Sequence, residues 1–352
     1  MRMNVSFARS ARTTLTVALA VGVVGCGGDG GGTPEEQALS GVTSFIKANM
    51  AEFADASAKL QAAAPAPGSN GWNPDTHASA VAAMKVEWKR ARVAYEYIEG
   101  AVAVLFPELD YSTDQRYDAF LADQGGDDNL FDDQNVIGVH AIERILWADQ
   151  IPERVKTFEA GLAGYKAAAF PATMQEADDF KNKLCARLVA DVKTMRDQFG
   201  GSVALDPAAA FRGVIGSMGE QIEKANLAAT GEEESRYAQF TLADMRTNVS
   251  AGKKTFQSFE PWLKSKKAED QISGIHAAFA RLDAAYAALS GDALPAVPAT
   301  WSSLNPSEAD LQTPFGKLWA VLHAEADPET PGSLVAAMGM AAATLGIPEL
   351  PP

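Results

Sequence analysis

The chain is 352 residues long and 47% hydrophobic, enough for one large or two medium domains with real cores. Its 45 Asp and Glu against 30 Lys and Arg give a formal charge of −15, which excludes nucleic acid, a partner that needs a basic surface. Cations and cationic partners stay open, although a solvated acidic surface explains the same balance.

Arg2, Arg9 and Arg12 form a positive region, followed by an apolar run from Leu15 to Val24 that is too short to span a membrane. The run ends at Val23-Val24-Gly25-Cys26. Small residues before a cysteine, directly after a short apolar run, resemble a bacterial lipoprotein cleavage site. Residues 1–25 then read as a signal peptide and Cys26 as the lipid-bearing first residue of an envelope protein facing the periplasm. An ordinary signal peptide with an incidental cysteine is the plain alternative, and it leaves a free thiol to be explained. Gly27, where an Asp would favour inner-membrane retention, leans towards the outer membrane. Residues 26–34 are glycine-rich and read as a flexible tether. With Cys26 lipidated, Cys185 has no partner for a disulfide. Its neighbours Leu184, Leu188, Val189 and Val192 make it a small buried hydrophobe.

Helical periodicity begins just after Pro34, with Val42, Phe45, Ile46, Met50, Phe53 and Leu60 at three- and four-residue steps. A breaker-rich connection covers 62–74. A second helix is expected from there to about Phe106, and an acidic loop over 107–133. A third helix is expected from about Gln134 through Trp147, with more helix over about 152–170 and 171–199. The second half continues with helices near 207–229, 241–263, 268–289, 307–325 and 333–345. No period-two alternation long enough for a strand occurs. The expected fold is all-α, two antiparallel helical bundles packed together, residues 35–201 carrying a metal site and 202–352 forming the second bundle.

Two pairs carry the chemistry. His140 and Glu143 are three apart and share one helical face, so an imidazole nitrogen and a carboxylate oxygen can reach one cation. Their neighbours Val136, Ile137, Val139, Ile142, Ile145, Leu146 and Trp147 are apolar, and burying the pair there is costly unless it is bonded or binds metal. A bare His-x-x-Glu is short and common by chance, and taken alone it is better explained by a simple His–Glu contact, or by an exposed Glu beside a satisfied core His. Gly138 inside this helix costs about 1 kcal/mol relative to Ala; a close backbone approach or ordinary tight packing accounts for it. Glu96 and Glu99 repeat the spacing on the preceding helix, beside Arg92 and Tyr95, and pairing with Lys89, Arg90 or Arg92 is their plain alternative. Carboxylates with an imidazole suit iron, manganese or zinc.

Together, Trp88-x-x-Ala91-Arg92-x-x-Tyr95-Glu96-x-Ile98-Glu99, Phe106-Pro-Glu-Leu-Asp110-x-x-x-Asp114-x-Arg116 and Gly138-Val-His140-Ala-Ile-Glu143-Arg-Ile-Leu-Trp147 resemble the imelysin family. They are especially similar to its EfeO/EfeM-type periplasmic iron-uptake lipoproteins, in the short form without a cupredoxin-like domain. Gly231-Glu-Glu-Glu-Ser-Arg-Tyr237, Leu242-x-Asp244 and Asn248-Val-x-Ala-Gly252 are similar to that family's second half. The resemblance covers about residues 36–290. It implies a two-bundle helical fold, an envelope location and a metal, iron first and zinc second. The implied ligands are His140 and Glu143, then Glu96 and Glu99, with Asp114 and Asp110 behind them. It also implies a membrane partner for iron transport. The second half has no His-x-x-Glu, and its Glu220 and Glu223 read as surface. His77, His276 and His323 read as structural or exposed. The family was first described as a metallopeptidase, so a zinc peptidase is the alternative activity. No His-Glu-x-x-His, Ser-His-Asp or Cys-His arrangement supports it, and binding is expected over catalysis.

Overall fold

Helix starts are written into this chain as side-chain caps. Thr33 with Glu36, and Thr173 with Glu176, form reciprocal capping boxes. Asn73, Asp206, Ser307, Thr313 and Ser333 each accept a backbone N–H of the helix they precede. The computed structural model describes residues 32–67 and 70–348, and helix is the only regular structure among them. The expected signal segment, Cys26 and most of the expected tether lie outside the described residues. No described helix is long and apolar enough to cross a membrane.

In chain order the helices are α1 (Pro34–Ala63), α2 (Pro74–Glu96), α3 (Glu99–Leu105), α4 (Pro107–Asp114), α5 (Tyr117–Gln124), α6 (Gly138–Leu146), α7 (Glu153–Glu159) and α8 (Met174–Asp179). A π-helical turn, Phe180–Leu184, joins α8 to α9 (Cys185–Gln198). Then come α10 (Pro207–Ala228), α11 (Thr241–Ser265), α12 (Glu269–Ala287), α13 (Glu308–Leu311), α14 (Pro314–Ala326) and α15 (Leu334–Leu345). The long helix α1 packs along α2, α9 and α11, while α10 lies on α11, α3 and α14. Helices from before and after residue 202 therefore contribute to one continuous apolar core. Cys185 is fully buried in that core and burial raises its thiol pKa, as suits a small hydrophobe.

Three sequence expectations need correction. The second helix does not run to Phe106. It stops at Glu96, Tyr97 and Ile98 form a turn, and α3 sets off anew. The restart lays Gly100 against Gly213 of α10, where an added Cβ would stand 3.3 Å from the Gly213 carbonyl oxygen. The acidic stretch 107–133 is not a loop throughout, since α4 and α5 occupy its first two thirds. Pro107 at the start of α4 fixes a helical φ, and Glu108, Asp110 and Asp118 sit in first turns, where the helix dipole favours negative charge. Those acids looked like loop composition but are helix-start charges. Finally, the helix expected over about 152–170 is only α7; beyond it, Gly161, Gly164 and Pro171 lead the chain through turns and irregular backbone.

Candidate metal centre

The site is assembled by anchoring α6 against α2 and α4. The indole N–H of buried Trp88 on α2 donates to the Val139 carbonyl on α6 at 2.8 Å. Gly138 opens α6 with φ +84°, and a Cβ there would lie 2.3 Å from the Thr113 carbonyl oxygen. Only glycine allows both that left-handed φ and that approach. The contact decides between the two explanations the sequence left for Gly138. It also brings the last residue of α4, Asp114, against the first turn of α6. There Asp114 Oδ1 lies 3.3 Å from His140 Nε2.

His140 and Glu143 meet as their spacing required, with Nδ1 2.8 Å from Glu143 Oε2, and both are buried. Glu143 Oε1 accepts the backbone N–H groups of Tyr237 and Ala238, at 2.9 and 2.7 Å. Burial raises the Glu143 pKa, while the contact with His140 and the two N–H donors on one oxygen oppose that rise and favour the ionised carboxylate. That network assigns the imidazole its tautomer: Nδ1–H donates to Glu143 and Nε2 carries the lone pair. Burial, the largest influence, pushes the His140 pKa below its usual value and keeps the ring neutral. Nε2 is itself buried and has no hydrogen-bond donor. Nε2 thus faces Asp114 Oδ1, an oxygen that also pairs with Arg92.

Glu234 completes this group. One ligand atom from each of Asp114, His140 and Glu234 lies within 4.8 Å of the others. Burial opposes ionisation of Glu234, but Arg92 and then Lys224 outweigh it and hold the carboxyl well below its ordinary range. Arg92, wholly buried on α2, pairs with Glu96, Asp114, Glu234 at 2.7 Å and Asp244 at 3.4 Å. Burial pushes the Asp114 and Glu96 pKa values well up despite Arg92, and Asp244 up to about 6. Carboxylates therefore outnumber the two internal cations, and the surplus is carried as protons.

Glu96 and Glu99 stand beside this group and share Glu234 with it. With Glu234 they form a second cluster, again within 4.8 Å, and Lys224 of α10 lies among them. Asp110 accepts the Tyr95 hydroxyl, and burial raises its pKa to about 6. Glu223 is exposed at the rim, where it pairs with Arg116, and Glu220 is exposed beside it, both as the sequence led us to expect.

Four buried residues at the site were not singled out from the sequence for a role there: Glu234, Lys224, Asp244 and Asn248. Glu234 lies in a non-helical segment, 231–240, that buried ion pairs hold in place. Arg236 pairs with Asp118, Tyr237 bonds Glu159, Arg144 bonds Glu159 at 3.1 Å, and Arg154 pairs with Glu233. Ser235 donates to Asp244 at 2.5 Å. The run Gly231-Glu-Glu-Glu-Ser-Arg-Tyr237 was visible as a pattern; its placement over the His140 helix was not.

No curated relative matches the chain. A family model described as imelysin, in a peptidase grouping associated with the cell envelope and with metal binding, matches residues 41–314. That span is most of the chain and includes every residue of the site just described, so the protein belongs to the imelysin family.

Proposed function

We propose that the protein captures one metal ion, iron by preference, for uptake across the cell envelope, as EfeO/EfeM-type lipoproteins of the short form do. Asp114, His140 through Nε2, and Glu234 are the ligands. Glu143 does not ligate. It holds the imidazole ring and fixes its tautomer, the usual arrangement behind a metal-bound histidine. The carrying observation is the buried His140 Nε2, which has no hydrogen-bond donor and lies 3.3 Å from Asp114 Oδ1, with one ligand atom from each of Asp114, His140 and Glu234 within 4.8 Å of the others. The donor set fits the ion: two carboxylates and an imidazole are hard to borderline ligands that suit iron, manganese and zinc. Arg92 offsets part of the carboxylate charge.

Glu96, Glu99 and Asp110 surround the ligands without being needed for the first ion. Cys26 carries the lipid that tethers the protein on the periplasmic side, and a membrane transport protein receives the metal.

Burial favours capture over peptide cleavage. His140 is 1% exposed and Glu143 is 0% exposed. A zinc peptidase at these residues would need a nearby carboxylate free to activate water. Glu143 has both oxygens engaged. The test is anaerobic ferrous and aerobic ferric titration of the full chain, with His140→Ala and Glu234→Gln alongside, and a protease assay with and without chelator. Saturable binding that both substitutions abolish supports the reading. Equal binding by all three proteins, or chelator-sensitive cleavage of denatured substrates, overturns it.

A further inference from the structure

The second carboxylate cluster already holds a cation. Lys224 reaches from α10 and puts its ammonium 3.1 Å from Glu96 Oε2, 3.2 Å from Glu99 Oε2 and 2.8 Å from Glu234 Oε2. A fourth acceptor, Asn248 Oδ1, lies at 3.0 Å. The ammonium is 3% exposed in its side chain and surrounded by oxygen, as a small metal ion would be. Asn248 is independently fixed: its amide donates to Glu99 at 2.8 Å and to the Glu96 carbonyl at 3.0 Å, and its oxygen also accepts from Gln221 at 3.2 Å. The oxygen cage is thus held by protein contacts that do not involve Lys224.

Glu234 belongs to both clusters, one oxygen towards Arg92 and the other towards Lys224. A carboxylate placed between two cation positions is the usual bridge of a two-metal centre. Resting on the metal-capture reading above, we propose that Lys224 is a tethered cation occupying the second position of a Glu234-bridged pair, and that it limits the chain to a single metal ion. An internal ammonium costs no second ion and cannot be lost. It keeps the first position mononuclear and exchangeable, which suits a protein that must hand its metal on.

Lys224→Met removes the charge and keeps the stem, leaving Glu99 and the Lys224-facing oxygens of Glu96 and Glu234 without their cation, while Arg92 still pairs with the other oxygen of Glu96 and of Glu234. Three clustered carboxylates then need protons or a metal. The experiment loads the full chain with ferrous ion anaerobically, removes free metal by gel filtration and counts iron per chain. Wild type is expected to hold one ion and Lys224→Met two. Adding Glu99→Gln to Lys224→Met removes a ligand that only the second position uses, and is expected to return the count to one. A role in folding alone does not change the count in this pattern. If Lys224→Met is too unstable to purify, Lys224→Gln carries the same expectation. One ion in both wild type and the charge-removed variant overturns this inference and leaves the capture reading standing, as do two ions in wild type. No ion in wild type overturns the capture reading and this inference with it.

Discussion

Glu143→Gln exchanges one oxygen for an amide nitrogen, and the structure dictates how the new side chain must turn. The backbone N–H groups of Tyr237 and Ala238 both need an acceptor, so the amide oxygen takes the place of Oε1. The amide nitrogen then faces His140 Nδ1, 2.8 Å away in the native contact, and presents a hydrogen. Nδ1 must become an acceptor, which moves the ring proton to Nε2, where it donates to Asp114. The substitution therefore keeps an acceptor for both backbone donors and a partner for Nδ1, and puts a proton where the metal should bind. Altering such a partner of a ligating histidine typically lowers affinity 10- to 100-fold, about 1.4 to 2.8 kcal/mol. The tautomer reversal puts this variant at or beyond the upper end. Stability should change little, because both backbone donors and Nδ1 keep a partner. Nitrogen chemical shifts of the His140 ring read the tautomer directly, and competition with a chromogenic chelator reads the affinity. Wild-type affinity with the proton still on Nδ1 would refute the assignment of Glu143 as the orienting carboxylate.

Gly138→Ala should cost at least about 2 kcal/mol in urea unfolding, combining a left-handed φ with a backbone clash, and should weaken metal binding by parting Asp114 from His140. Metal should raise the melting temperature without being required for folding, by about 2.7 kcal/mol of linkage at 100 times Kd; complete unfolding of the chain by mild chelation would contradict this. Asp110 titrates at about 6 when folded, against an ordinary 3.8, so between those values the folded state holds more protons than the unfolded. Its contribution is present below the lower value and is lost as pH rises through the upper. Comparing wild type with Asp110→Asn from about pH 4 to about pH 7, the balance should move against wild type by about 2 kcal/mol, allowing for partial exposure. Metal affinity should fall on acidification, since Asp114, whose pKa burial raises, must lose its proton to ligate; affinity that does not change on acidification would contradict this.

Long apolar periodicity was the legible part of the fold. The helices expected at 207–229 and 241–263 appear as α10 and α11, Pro207–Ala228 and Thr241–Ser265. Short elements were not legible, because α4 and α5 are eight residues each and their charges belong to helix starts. In the site, three-residue spacing on one helix foretold the His140–Glu143 contact. The same rule did not carry to Glu96 and Glu99, because a turn separates them; Lys224 and Asn248 draw them together instead. Glu234 had no periodic signal to give, since it lies outside helix, 91 positions beyond Glu143, and Glu232-Glu233-Glu234 has the composition of a solvated loop. Ion pairs with Arg92 and Lys224 make its burial tolerable, and such pairs are formed only by the folded chain.

The most direct test is a crystal structure of the iron-loaded chain with anomalous data at the iron edge. The account predicts one peak bonded to Asp114, His140 Nε2 and Glu234, with Glu143 still bonded to Nδ1 and to the Tyr237 and Ala238 amides. A peak bonded to Glu143 itself, or no peak among these residues while iron binds elsewhere, would contradict it.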